Sequence, residues 1–226
     1  MNQPENKFQA FILMGRSASG KGTQAVLLRD FLKQRETSTP DPVLYIETGA
    51  NFREYIKADN YSSGISRQIM TDSGLQPAFL ANWLWADLLI KNYRGEQHWV
   101  VDGTPRTLAE ALTFDSALKF YGFKRPTVVL LDIPNDIAHD RLLKRGRFDD
   151  LQHEGNEKRL AWFETEVMLA VDLFRQHQEY YRFVTLDGTA GIEVSDNSPH
   201  EIFRNSNFQV HDRFKEDRFT ASQTFF

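Results

Sequence analysis

The segment Gly15-Arg16-Ser17-Ala18-Ser19-Gly20-Lys21-Gly22-Thr23 brings together residue types that suit a polyphosphate anion. Gly15 and Gly20 permit a tight turn whose backbone N–H groups point inward, and a following helix N-terminus adds favourable partial charge. Lys21 has the spacing to reach terminal phosphates, and a hydroxyl just inside the helix normally serves Mg2+. Here Gly22 follows the lysine and the hydroxyl comes one residue later, at Thr23. A glycine-rich turn with no ligand is the plainer reading. The lysine, the hydroxyl, the preceding apolar strand and the following helix together argue against it. A nucleoside triphosphate site is expected, with Gly15, Ser19, Gly20, Lys21, Gly22 and Thr23 as its residues.

Any anion must be held by a local group of cations, because the chain as a whole is acidic. Its 226 residues carry 27 basic and 31 acidic side chains, a net charge of −4. That balance argues against a nucleic-acid binder working by bulk charge. There are no cysteines, so disulfides and thiolate-held zinc are excluded. His98, His139, His153 and His177 have no metal-ligand spacing. Hydrophobic residues make up 41%, too many for a disordered chain, and no run approaches the roughly 20 apolar residues of a membrane span. The stretch from Met1 to Lys7 is polar and lacks the apolar core of a secretory signal. A cytoplasmic protein with no membrane or nucleic-acid partner is expected.

The elements that must position the loop alternate between apolar runs and helix-length amphipathic segments, the pattern of a parallel sheet covered by helices. Strands are expected at about 8–14, 43–48, 98–102, 127–132 and 182–187, and helices to about 35, over 107–121, 135–145 and 156–180. Two or three helices fill 52–93, broken near 60–64 and 73–77. The aromatic residues Phe79, Trp83 and Trp85 are read as core of that region. Ser198-Pro199-His200-Glu201 has a capping-box pattern, and a short last helix is expected there. From Asn207 onward Phe208, Phe214, Phe219, Phe225 and Phe226 are too many rings for a solvated tail. Docking on the body is expected, with a partner subunit as the alternative.

Five segments in order resemble the adenylate kinase and wider nucleoside monophosphate kinase family, over about Phe8 to Thr189. They are Gly20-Lys21-Gly22-Thr23-Gln24, the Thr48-Gly49-Ala50-Asn51-Phe52-Arg53 segment, Asp102-Gly103-Thr104-Pro105-Arg106-Thr107, the stretch Arg141 to Asp150, and Asp187-Gly188-Thr189. The resemblance implies a P-loop NTPase-like α/β fold: a five-stranded parallel sheet flanked by helices, a helical monophosphate-binding lobe and a short lid. It implies Mg2+-dependent transfer of the γ-phosphate of ATP to a nucleoside monophosphate, with AMP the leading acceptor. By the same resemblance Thr48, Gly49, Arg53, Gly103, Arg106 and Glu110 hold the monophosphate. Lys21, Arg106, Arg145, Arg147 and Arg159 surround the transferred group, and Arg141 lies against the donor base. Thr23, with Asp102 acting through water, serves Mg2+. Phosphoryl transfer crowds negative charge, and arginine's planar fork can bind two phosphate oxygens at once.

Several positions depart from the family pattern. Ser17 and Ala18 replace the loop's usual proline and glycine, and Ala50 replaces an aspartate associated with metal-bound water. Thr104 replaces an aromatic residue, and the spacing from Asp150 to Arg159 is one residue longer than usual. Glu110 stands where a glutamine usually reads the acceptor base. An ionised carboxylate only accepts, so it would face adenine N1 unfavourably and could accept from guanine N1–H and N2–H. The expected organisation is a kinase domain over 1–206, with the lobe at about 49–93 and the lid at about 146–158. A C-terminal extension covers 207–226. A monomer is expected, a tail-mediated dimer being the alternative. GMP, UMP or CMP as acceptor, and a non-catalytic nucleotide-binding module, remain open as rival readings.

Overall fold

The computed structural model describes residues 6–145 and 153–189. Five parallel strands form one sheet: β1 (Ala10–Gly15), β2 (Val43–Glu47), β3 (His98–Asp102), β4 (Thr127–Asp132) and β5 (Arg182–Asp187), in the order β2-β3-β1-β4-β5. β1 lies in the middle, with Ile12 opposite Val101 on one side and Val128 on the other. β1, β3 and β4 are buried on both faces, which is why they read as continuous apolar runs rather than alternating ones.

The period of two along the strands sorts the core. Ala10, Ile12 and Met14, with Leu44, Ile46, Trp99, Val101, Val128 and Leu130, turn to one face. There they meet side chains of α4 (Ala78–Asn92), α5 (Leu108–Phe120) and α8 (Met168–Gln176), including Trp85, Phe114 and Phe174. Trp99 anchors this face, its ring 4.5 Å from Phe123, 5.2 Å from Tyr93 and 5.3 Å from Tyr121. On α1 (Lys21–Arg35), which packs against β1, β2 and β3, Ala25, Leu28 and Leu32 are buried.

Three helices fill the segment after β2: α2 (Thr48–Tyr55), α3 (Tyr61–Thr71) and α4. Asn60 caps α3 by accepting from the Ser63 N–H at 2.9 Å, while the Ser63 hydroxyl accepts from the Asn60 N–H in return. The expected break at 60–64 therefore lies slightly earlier, because Asn60 opens the helix. Trp85 is core, but Phe79 is 72% and Trp83 50% exposed, so the reading of that whole aromatic group as core was too broad. One turn of α4 places those two on the outer stripe and Trp85 on the inner one.

The remaining helices are α6 (Asn135–Arg145) and α7 (His153–Trp162), and a π-helical turn, Phe163–Val167, joins α7 to α8. The long helix expected at 156–180 thus begins at His153, is interrupted by the π turn, and ends at Gln176. Residues 146–152 of the expected lid, the helix expected at 198 and the phenylalanine-rich tail lie outside the described residues. Among the described residues, no helix is long and apolar enough to cross a membrane.

His98, at the start of β3, is 2% exposed and its Nδ1 accepts from the Gln9 N–H at 2.9 Å. Burial pushes its pKa down to about 4, against the opposing pull of Glu36. A depressed histidine is neutral in both folded and unfolded chains above its unfolded value, so it costs nothing there. As pH falls from about 6.5 towards 4, the unfolded chain binds the proton first and folding weakens. Urea unfolding between pH 7 and 4.5 should show wild type losing roughly 2 kcal/mol more than His98→Asn, whose Oδ1 keeps the acceptor. Equal slopes for the two proteins would show that His98 does not set this dependence.

Candidate active site

β1 runs directly into the phosphate loop, where Gly15 and Gly20 are required by geometry. Gly15 has a φ of +144°, and a Cβ there would lie 2.4 Å from the Leu131 carbonyl oxygen. Gly20 has a φ of 96° and caps α1. The Lys21 ammonium curls back into the loop, donating to the carbonyl oxygens of Gly15 at 2.8 Å and Arg16 at 2.6 Å. It lies 3.4 Å from the Ser19 hydroxyl, which is itself buried. Thr23 is exposed on the first turn of α1.

Asp102, the last residue of β3, reaches over that same turn. A Cβ on Gly22 would stand 3.2 Å from Asp102 Oδ2, so the glycine after the lysine leaves room for the carboxylate. The displaced hydroxyl at Thr23 and the glycine at 22 are thus two parts of one arrangement. Among the described residues, no group of three acidic or histidine side chains could hold a metal alone. The donor set fits Mg2+, a cation that keeps several waters and is held by one or two protein oxygens together with substrate phosphates.

A second cluster is built on bare backbone at Gly49. A Cβ there would be 3.4 Å from Arg53 Nη1 and 3.7 Å from Arg106 Nη2, and one on Gly103 would be 3.1 Å from Arg106 Nη2. Arg53 and Arg106 therefore converge, on α2 and on the turn after β3. Arg53 donates to Glu47 Oε1 at 3.0 Å and Arg106 to the Gly103 carbonyl at 2.8 Å. The Thr48 hydroxyl beside them is buried without a hydrogen-bond partner. Burial holds the Arg106 pKa below the ordinary arginine value; Glu110 and Asp102 oppose this, and the positive charges of Arg159 and Arg53 add to the lowering. Arg159, on α7, is 7% exposed. Three guanidiniums share one field, and Lys21 lines the same cleft as Arg106. Trp162 and Phe163 wall that cleft.

Glu110 lies at the base of this group, 1% exposed. Its Oε2 accepts from the Thr104 hydroxyl at 2.9 Å and the Arg106 N–H at 3.0 Å. Burial raises its pKa against the lowering effect of those two donors. The two departures, Thr104 and Glu110, are therefore one hydrogen-bonded pair.

Arg141 is tied to the turn after β5, donating to the carbonyls of Gly188 at 2.7 Å and Thr189 at 2.9 Å. This joins two of the segments that the sequence set 47 positions apart. Arg145, at the end of α6, is exposed, and Arg147 lies outside the described residues. Two contributors escaped the sequence reading. Trp162 places its ring 5.9 Å from the Arg106 guanidinium and donates from Nε1 to the Ser73 carbonyl at 3.3 Å. Arg16 sits inside the loop motif but has no role in its pattern.

Comparison with known proteins places the chain in a family. The family model described as adenylate kinase matches residues 13–179. Adenylate kinase 1 of Synechocystis sp. is 30% identical over 187 residues, covering 82% of this chain and 92% of that protein. The chain belongs to the adenylate kinase family. Adenylate kinase 1 of Nostoc sp. is 30% identical over 183 residues, 80% of this chain and 91% of that protein. The adenylate kinase of Bifidobacterium longum is 32% identical over 168 residues, 72% of this chain and 84% of that protein. As a member of the family the chain is a nucleoside monophosphate kinase on a P-loop NTPase-like sheet.

Proposed function

We propose that the chain converts ATP and AMP to two ADP, with Lys21, Arg53, Arg106 and Arg159 as the cations that hold the reacting phosphates. The convergence of Arg53 and Arg106 on the bare backbone of Gly49, beside Asp102 and the phosphate loop, carries this reading. ATP lies along the loop, its terminal phosphates against Lys21 and the N–H groups of Gly20, Gly22 and Thr23. Arg141 lies against the donor base, and the resemblance adds Arg145 and Arg147 as further cations for the transferred group. Thr48, Gly49, Arg53, Gly103 and Arg106 hold the acceptor phosphate. Mg2+, bound with the ATP phosphates, supplies further charge neutralisation; Thr23 and, through water, Asp102 would hold it.

An oxygen of the acceptor phosphate attacks the γ-phosphorus in line, and the bond to the β–γ bridging oxygen breaks. The acceptor oxygen is already anionic, so no protein base is required. The protein's contribution is positioning and electrostatic stabilisation of the charge spread over the equatorial oxygens. Lid and lobe closure exclude water, which would otherwise compete as acceptor. ADP formation from ATP and Mg2+ with AMP, GMP, CMP and UMP in turn tests the reading. Turnover is expected with AMP; ATP binding without turnover on any of the four would make the chain a binding module instead.

Glu110 is proposed to loosen the choice of acceptor base. In Glu110→Gln the amide oxygen can keep the Thr104 and Arg106 donors while the NH2 group donates to adenine N1. The AMP-to-GMP ratio of kcat/KM is expected to rise by about five-fold or more. An unchanged ratio would show that this side chain does not read the base.

A further inference from the structure

Arg16 is the only arginine inside the phosphate loop, and its guanidinium reaches three other segments of the fold. Nε donates to Asn135 Oδ1 at 2.7 Å, at the start of α6. Nη2 donates to Glu164 Oε1 on the π turn, and Nη1 is 3.8 Å from Asp132 at the end of β4. Its carbon lies 4.5 Å from the centre of the Phe163 ring. The side chain is 14% exposed, so this is a half-enclosed clamp rather than a surface ion pair. Its carbonyl oxygen is also one of the acceptors for Lys21, at 2.6 Å.

Two residues on, Ala18 has a φ of 62°. That left-handed conformation suits glycine and strains a residue with a Cβ. The loop thus lacks the proline and glycine that would set its shape locally, and carries strain that must be held in place from outside. The π turn that holds Glu164 and Phe163 follows α7 directly, the helix that carries Arg159.

We propose that Arg16 is a positioning residue: through Glu164, Asn135, Asp132 and Phe163 it holds the strained phosphate loop in its ATP-binding shape and fixes that loop against the helix bearing Arg159. Its two hydrogen bonds, to Asn135 and Glu164, are to the protein, which assigns it to holding the loop. The inference rests on the proposed ATP site. If only a fraction of loops is correctly shaped, ATP affinity falls by that fraction, while a site built on α2 and β3 is unaffected.

The test is calorimetric titration of the full chain with MgATP and, separately, with AMP, accompanied by thermal melts. Arg16→Ala is expected to weaken ATP roughly 10- to 100-fold while AMP affinity stays within about two-fold. Glu164→Gln, which keeps the shape of the side chain, should weaken ATP in the same direction by a smaller factor. Ala18→Gly removes the strain, so it should recover about five-fold in the Arg16→Ala background and change little in the wild type. Equal loss of ATP and AMP affinity in Arg16→Ala would make Arg16 a general structural residue and overturn the proposal. So would wild-type ATP affinity in Arg16→Ala. If Arg16→Ala fails to fold, wild-type ATP affinity in Glu164→Gln overturns it. A wild-type chain that binds no ATP would sink the functional reading, and the role of Arg16 with it.

Discussion

Lys21→Ala is expected to lower ADP formation from ATP and AMP by about 10³-fold or more, with the fold intact. The ammonium donates to the Gly15 and Arg16 carbonyls, on a loop whose shape is set independently by Gly15, Gly20 and the sheet. Removing it takes away charge where the transferred group gains it, and takes away little packing. Steady-state rates, with circular dichroism of the variant, check this. Substantial turnover in a folded Lys21→Ala protein would remove the phosphate-loop mechanism.

Arg106→Ala is expected to cost about 10²- to 10³-fold in kcat/KM. Its guanidinium is the centre of the proposed acceptor group, close to both Arg53 and Gly49. Arg106→Lys should recover only a small part, because a point charge cannot form the planar two-oxygen fork. The thermal midpoint should stay within a few degrees, since burial and two neighbouring guanidiniums already disfavour the Arg106 charge. A drop in midpoint large enough to explain the lost activity would give Arg106 a structural role instead.

Much of this was legible from residue types alone. Central strands buried on both faces announce themselves as apolar runs, and Val128 to Leu131 is the clearest case. The loop was legible because turn geometry, anion and helix start all constrain the same few positions. The segment carrying Arg53 and Arg106 was legible through resemblance, but not the convergence of both on Gly49, because their approach depends on tertiary placement of α2 against the turn after β3. The π turn could not be read, since its residues Phe163 to Val167 satisfy an ordinary helical pattern and one extra residue per turn leaves no local mark. Arg16 was invisible for a related reason: its partners come from the end of β4, the start of α6 and the π turn. The pairing of Thr104 with Glu110 likewise emerged only once both were seen buried together.

The strand order has a consequence for how such a protein can vary over generations. β1 is central, β2 and β3 lie on one flank with Arg53 and Arg106, and β4 and β5 lie on the other with the turn that holds Arg141. Thr104 and Glu110 belong wholly to the first flank. On the proposed roles, exchanging that one buried pair would change which base a lineage accepts and leave Lys21 and Arg141 as they are.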